Sequence, residues 1–424
     1  METVAGLDIG SSYVVAAVAV PAPGPGTREA RFAGEQKETA APVSDPAARG
    51  MKIGYSATAG MRRGQVSDIA ALSGCIREAL SRAESAAGVR VETVCAGFSG
   101  QTVEFSRNKY GNLVGKRRIN RQDIERINRL ALISDLPPGR QIIQAMPVEY
   151  IADGTPVAGD PLGMHCSRLE VESLIFTADN ALVDQLLEAV RRAGVSVKDI
   201  FPSCLAAGEV LLKKSQQQLG TAFIDIGGSC TCVLVYNHGF PVGMDVLPVG
   251  GDHITSDLAI CLRTTLEGAE GVKRSVGLGL KSAEGLEKED LPGAVTIPRL
   301  SGSGFNEAPV KSALDIIEAR AGEILELIQS SVSRLAGGLD LPGGLILAGG
   351  GSRLKGLDLF ASDYLGVKVQ MEYPGLQGEE SGDFVNAAGA AGLLKYMIKH
   401  NHMAEEVEQP PADLWSKVRG IFKI

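Results

Sequence analysis

Short apolar runs bounded by glycine and small polar residues alternate along this chain with longer segments whose apolar positions recur every three to four residues. The short runs predict strands, because they end at turn-forming residues; the longer periods predict helices with one buried stripe. Strands are expected at residues 4–8 and 13–20, which form a hairpin, and again at 91–98, 101–105, 142–151 and 344–348. Helices are expected at 69–87, with Leu72, Ile76, Leu80 and Ala83 on one face, and at 121–132, 181–193, 206–219, 254–262, 266–276 and 313–335. Gly194 stops the helix that precedes it. Residues 21–50, rich in Pro, Ala and Gly, carry no period and predict a flexible insertion. Residues 277–310 mix charge with Gly and Pro and predict an exposed subdomain edge. Strands precede helices in both halves of the chain, which points to a duplicated α/β architecture.

A length of 424 residues exceeds one ordinary core and implies two or three domains. Hydrophobic residues at 44% and charged residues at 22% fit a soluble globular protein. The net charge of −8, with no basic stripe interleaved with aromatics, argues against a nucleic-acid partner, and the basic stretch 116–118 reads as a solvated loop. Seven cysteines without a framework or a tetrahedral zinc spacing predict reduced thiols in a cytosol. Cys230 and Cys232, one residue apart, read as packing residues ahead of a metal or redox pair. No apolar run approaches the roughly 18 residues of a spanning helix, and no signal-like segment opens the chain, so a protein kept inside the cell is expected.

Two segments share one grammar: GLDIGSS at residues 6–12 and FIDIGGS at 223–229. Each is an apolar strand ending in an acid, a glycine and small hydroxyl residues. Glycine removes the Cβ that would keep backbone N–H groups from an anion, and the acid can hold a cation, or a water bound to one, against that anion. This places Asp8 and Asp225 at a metal ion, with the N–H groups of Gly10, Ser11 and Ser12 facing those of Gly227, Gly228 and Ser229 across the phosphates. A third cluster, LAGGGSRLKGL at 347–357, puts Gly349, Gly350, Gly351 and Ser352 at a strand end before a helix, where bare backbone receives a base or ribose. Ligands of open α/β sheets bind at the carboxyl ends of strands. Singly, each cluster reads as a tight turn; together they suggest a nucleotide gripped between two related halves.

With these residues in view, the chain resembles the actin-like ATPase superfamily and, within it, the FtsA family of bacterial cell-division proteins, over nearly its whole length. GLDIGSS and FIDIGGS resemble the family's two phosphate loops and ILAGGGSRLKGL its adenosine segment. More specific are GMRRGQVSDI at 60–69, DPLGMHCSRLEV at 160–171 and VGGDHITSDLAICL at 249–262. The resemblance implies an actin-like ATPase fold: two duplicated α/β halves around a nucleotide cleft, an FtsA-type extra subdomain and a C-terminal amphipathic helix. In that frame 1–82 and 163–195 form the first half, 83–162 the extra subdomain, 196–227 and 304–399 the second half, and 228–303 its small subdomain. Residues 400–411 are then a linker and 412–424 a membrane-targeting helix. ATP and Mg2+ are the implied cofactors, with Gly250 and Gly251 near the phosphates and Glu270 and Lys273 at the ribose and base. Without the resemblance, Glu270 and Lys273 read as a solvated helix face.

Departures from the family pattern bear on chemistry. The family's second loop continues through a third glycine, threonines and an aspartate, where this chain has Ser229, Cys230, Thr231 and Cys232. Tyr13 replaces a usual lysine, and Lys213 and Lys214 stand where acids are common. A missing carboxylate removes an orienter of water, no histidine sits in a general-base motif, and Glu209 is only a weak candidate. ATP binding with weak or no ATPase activity is therefore expected.

Near the end, Glu405, Glu406 and Glu408 precede Pro410 and Pro411, a hinge that a helix does not cross. In ADLWSKVRGIFKI, residues 412–424, helical geometry puts Leu414, Trp415, Val418, Ile421 and Phe422 on one face, with Lys417, Arg419 and Lys423 outweighing Asp413. Such a segment lies in a membrane interface. Each large apolar side chain gains roughly 1.5–3 kcal/mol at full burial and each cation about 1 kcal/mol near anionic lipid. Ordering the tail consumes much of that, so one tail binds marginally and several on one oligomer bind tightly. Docking on the chain's own core or in a protein groove is the alternative.

The resemblance further implies peripheral attachment to the inner face of the cell membrane at the division site, self-association into filaments, and tethering of FtsZ. The C-terminal peptide of FtsZ would dock on 228–303, and 83–162 would contact neighbouring subunits and later division proteins. Two other readings stay open. A related pilus-assembly ATP-binding protein is disfavoured by the tail and by GMHCSRLEV, and an ATP-dependent small-molecule kinase lacks a convincing catalytic acid.

Overall fold

The computed structural model describes residues 3–19, 51–62, 64–133, 136–157, 159–278, 293–301, 303–374 and 387–405. The expected insertion at 21–50, residues 406–411 of the linker and the terminal helix at 412–424 lie outside the described residues, while 400–405, expected to begin the linker, continue the preceding helix.

Strands β1 (Val4–Ile9) and β2 (Tyr13–Ala19) form the expected hairpin, with Asp8 opposite Val15, and β3 (Met51–Ala57) extends it. A two-stranded turn, β4 (Met61–Arg62) and β5 (Gln65–Val66), leads into α1 (Ile69–Ala87). The Asp68 carboxylate caps α1 by accepting from the N–H groups of Ala70 and Ala71, and Gly88 ends it at φ 68°. Leu72, Ile76, Leu80 and Ala83 are all buried, as the helical period requires. Strand β6 (Thr93–Phe98) then pairs parallel with β1 and sets Gly97 beside Asp8.

The chain next leaves this sheet for an antiparallel one: β7 (Glu104–Arg118), α2 (Arg121–Ile133), β8 (Arg140–Ala152), β9 (Thr155–Val157) and β10 (His165–Asp179), in the order β7-β10-β8-β9. Its core is separate and small, with Ile127 and Ala131 of α2 packed with Leu169 and Val171 of β10. Two features differ from the sequence reading. The strand expected at 101–105 runs to Arg118, so the basic stretch 116–118 is a strand end rather than a loop. Strand β10 lies beyond residue 162, while α1 and β6 pack with the first half, so this sheet belongs to a later stretch of chain than 83–162. A 15-residue strand with mixed polarity lacks the clean alternation that would reveal it.

Helix α3 (Asn180–Arg192), capped by Asp179, returns the chain to β11 (Ser196–Pro202), parallel to β6. Helices α4 (Ser203–Leu211) and α5 (Lys214–Leu219) replace the single helix expected at 206–219. Leu212 breaks it by taking an extended conformation (φ −82°, ψ 135°) that turns its side chain into the core. The second half follows: β12 (Thr221–Ile226), β13 (Thr231–Asn237), β14 (Phe240–Leu247), α6 (Gly251–Leu262), α7 (Leu266–Val276), β15 (Ala294–Pro298), β16 (Phe305–Pro309), α8 (Val310–Ala336), β17 (Leu345–Ala348), α9 (Leu357–Leu365), β18 (Val369–Met371) and α10 (Ala388–Glu405).

The sheets β3-β2-β1-β6-β11 and β14-β13-β12-β17-β18 have the same design. Each has three antiparallel strands, followed by two strands parallel to the first. The duplication read from the two loops thus extends to whole sheets. Alternation along the second sheet divides its side chains. Phe223, Cys232, Leu234 and Tyr236 join the first half's core through α4 and α10, while Ile224, Val233 and Val235 pack with α6 to α9. Small residues let α10 enter this space: a Cβ on Gly6 would lie 2.0 Å from the Ala390 carbonyl oxygen, and one on Gly392 would lie 2.0 Å from that of Ala206.

Candidate functional site

The two loops fold alike. Gly10 N–H donates to the Tyr13 carbonyl at 3.0 Å, and Gly227 N–H donates to that of Cys230 at 2.9 Å, closing the same turn after β1 and after β12. The third cluster follows β17, with Gly349 at φ 84°. A Cβ there would lie 2.2 Å from Asp225 Oδ1 and 2.6 Å from the Ile226 carbonyl oxygen, so both the backbone angle and the space demand glycine. The N-terminus of α6 docks on the second loop, where Gly251 and Asp252 N–H groups each donate at 2.9 Å to the Gly227 and Gly228 carbonyls.

These elements surround a cleft of about 920 Å³ between the two sheets. Asp8, Gly10, Ser11, Ser12, Asp225, Gly227, Gly228, Ser229, Gly251, Glu270, Lys273, Gly349, Gly350 and Gly351 all line it. Gly250 and Ser352 do not. Gly250 sits behind the second loop, where a Cβ would lie 2.5 Å from two carbonyl oxygens, and buried Ser352 donates its hydroxyl to the Gly349 carbonyl at 2.7 Å. Both shape the walls from outside. The eight tail residues named for membrane binding lie outside the described residues.

Asp8 and Asp225 occupy matching positions near the ends of β1 and β12 and face the cleft. Burial pushes the Asp8 carboxyl up to about 7 against a hydrogen bond from Ser203, with the charge of Asp225 adding to the rise. Burial pushes Asp225 up to about 6. No Lys or Arg among the described residues offsets either charge, so the pair suits a cation. Among the described residues no three His, Cys, Asp or Glu side chains converge as a metal cage. Two carboxylates fit Mg2+, which keeps waters and takes phosphate oxygens for its other ligands.

Glu270 and Lys273 project into the cleft wall and are no solvated helix face. Lys273 Nζ reaches Glu270 Oε2 at 2.6 Å, Thr255 Oγ1 at 2.8 Å and the Gly251 carbonyl at 3.1 Å. Burial opposes ionisation of Glu270, yet hydrogen bonds from Lys273, Thr255 and Arg274 hold its carboxyl down at about 2. Across the cleft, Ser229 donates to Ser11 Oγ at 2.7 Å, and Ser12 bonds Asp252. Cys230 and Cys232 are buried thiols; burial pushes Cys230 up to about 12, so it is neither base nor ready nucleophile.

Three residues at the site escaped the sequence reading. Ser203 opens α4 directly after β11 and donates to Asp8 Oδ1 at 2.5 Å. Asp252 lies inside the segment VGGDHITSDLAICL, and Gly389 begins α10 against Asp8, in the small-residue run AAGAAG. Only proximity in space distinguishes them, and the spacing in sequence carries none of it.

The family model for cell division protein FtsA matches residues 222–390, and that for the SHS2 domain inserted in FtsA matches 100–177. FtsA of Bacillus subtilis strain 168 is 32% identical over 342 residues, covering 80% of this chain and 76% of that protein. Among solved structures, the PilM–PilN type IV pilus biogenesis complex aligns at a TM-score of 0.63 and 19% identity, over 93% of this chain and 98% of that one. MreB5 of Spiroplasma citri bound to ADP aligns at 0.54 and 13%, over 95% and 98%. At such identities the structures show the shared actin-like fold, whereas the family models and the relative carry the assignment. The chain belongs to the FtsA family of cell division proteins.

Proposed function

We propose that the cleft binds ATP with Mg2+ and that the bound chain self-associates to tether FtsZ to the cytoplasmic membrane. The observation that carries the nucleotide reading is the pair Asp8 and Asp225, facing the cleft from equivalent strand ends, both raised by burial and neither held down by a Lys or Arg. Mg2+, when bound, supplies positive charge between these acids and the phosphates. Backbone N–H groups of Ser11, Ser12, Gly228 and Ser229 would grip phosphate oxygens, those of Gly10 and Gly227 being used instead to close the two turns, and Glu270, Lys273 and Gly349 to Gly351 would receive the nucleoside. MreB5, which shares the fold, was solved with ADP, and this supports a nucleotide as the occupant.

Binding without rapid hydrolysis follows from the side chains present. The lining residues include no histidine; Thr231 donates its hydroxyl to the Val249 carbonyl at 2.8 Å, and the Cys230 thiol stays protonated. Of the two acids at the second loop, Asp225 would serve the cation and Asp252 bonds Ser12, which leaves no further carboxylate among the described residues beside the loop as a dedicated base for water. ATP therefore acts as a ligand governing assembly, residues 228–303 receive the FtsZ peptide, and 412–424 hold several copies on anionic lipid. Among the described residues no helix is long and apolar enough to cross a membrane. Co-sedimentation with anionic vesicles, with and without ATP and FtsZ, tests the tether using the full chain and one ending at Pro411. Pelleting of FtsZ that requires residues 412–424 and rises with ATP is expected. Equal pelleting by the two chains, or none by either, would overturn it.

A further inference from the structure

The two acids at the cleft are not equivalent. Asp8 receives a side-chain hydrogen bond, from Ser203 Oγ to its Oδ1 at 2.5 Å, while Asp225 has no such donor among the described residues. Ser203 is buried at 3% exposure in the first turn of α4, the helix that runs between the two sheets. Two bare positions make room for the contact. Gly97, next to Asp8 in the parallel register, would place a Cβ 2.7 Å from Ser203 Oγ; Gly389, at the start of α10, would place one 2.3 Å from Asp8 Oδ2. The first clash would expel the hydroxyl and the second would expel the carboxylate.

We propose that Ser203 is a positioning residue for Asp8: its hydroxyl holds Oδ1, leaves Oδ2 as the oxygen offered to the cleft, and so sets how tightly Mg2+ is retained with the nucleotide. The role rests on reading the cleft as a Mg-nucleotide site. Asp225 repels Asp8. Without the Ser203 hydroxyl the Asp8 carboxylate is free to turn away from Asp225, and the two acids no longer converge where one cation can serve both. The hydrogen bond therefore opposes a specific repulsion and does more than fill space.

The test is the binding of a fluorescent ATP analogue to the full chain, first in excess EDTA and then across a Mg2+ titration. Wild type, Ser203→Ala and Ser203→Cys are compared, with thermal unfolding of each to verify the fold. Ser203→Ala should bind the nucleotide as wild type does in EDTA, yet need about tenfold more Mg2+ for the half-maximal gain in affinity, the size of one lost bond to an ionised group. Ser203→Cys, a weaker donor, should fall between. A Mg2+ titration of Ser203→Ala that superimposes on wild type would overturn the role, as would an equal loss with and without Mg2+, which marks a packing defect. Failure of the wild type itself to bind the analogue would instead reject the nucleotide reading on which the role stands.

Discussion

Helix α10 joins the cleft to the far side of the molecule, and its seat is set by the absence of side-chain atoms at Gly6 and Gly392. In an exposed helix, replacing glycine with alanine gains about 1 kcal/mol. Gly392→Ala should do the reverse. The added Cβ would lie 2.0 Å from the Ala206 carbonyl oxygen and 2.4 Å from its carbon, both backbone atoms of α4 that have no rotamer to change. Relief to an ordinary contact needs α10 and α4 to separate by about 1.4 Å, more than the roughly 0.5–1 Å gap that already forfeits a quarter to a half of each dispersion contact across the interface. Leu393 and Met397, fully buried on α10, would both lose neighbours. Overpacking of this kind costs about 1–3 kcal/mol, more where backbone must move, which leaves a net loss of roughly 2 kcal/mol after the propensity gain. Gly74→Ala in α1 is the control, since a Cβ there meets nothing within 4 Å. In thermal unfolding followed by circular dichroism, Gly74→Ala should melt about 1 °C above wild type and Gly392→Ala about 2 °C below. A Gly392→Ala midpoint equal to or above wild type would refute the close-packing argument.

Two further outcomes follow from buried polar groups. Asp8 has a folded value of about 7 against 3.8 when free, so the folded state holds the extra proton between those values. Its contribution to stability therefore falls as pH rises from about 4 to 7, to a penalty of at most about 4 kcal/mol above that range. Without nucleotide or Mg2+, Asp8→Asn should raise the melting midpoint at pH 8 and leave it nearly unchanged at pH 4; a lower midpoint at pH 8 would contradict the sign. The hydroxyl of Tyr236 is buried with no partner among the described residues, so Tyr236→Phe should leave stability unchanged or raise it by about 1 kcal/mol in denaturant titration. A loss greater than that would reveal a partner.

Local pattern carried most of the regular elements. The apolar period of α1, with Leu72, Ile76, Leu80 and Ala83 on one face, acts within a few residues and placed the helix at the observed 69–87. The repeat of Asp, Gly and Ser was legible because both halves need the same turn for the same reason. What escaped depended on tertiary context. Leu212 breaks a helical period because the core claims its side chain. Strand β10 has charged residues facing neighbours in a sheet that only the fold supplies. Ser203 meets Asp8 from 195 residues away, through space made by Gly97 and Gly389. The sequence spacing of a duplicated loop announces a site, but the residues that aim its side chains come from wherever the chain returns.

The claim that the duplicated loops form one Mg-nucleotide clamp is tested most directly by determining the structure of the full chain with ATP and Mg2+. The account predicts phosphates between Gly10 to Ser12 and Gly227 to Ser229, with the 2.7 Å Ser11–Ser229 contact replaced by bonds to phosphate and a cation beside Asp8 and Asp225. Nucleotide bound elsewhere, or a cleft that stays empty at saturating ATP with the two serines still joined, would contradict it.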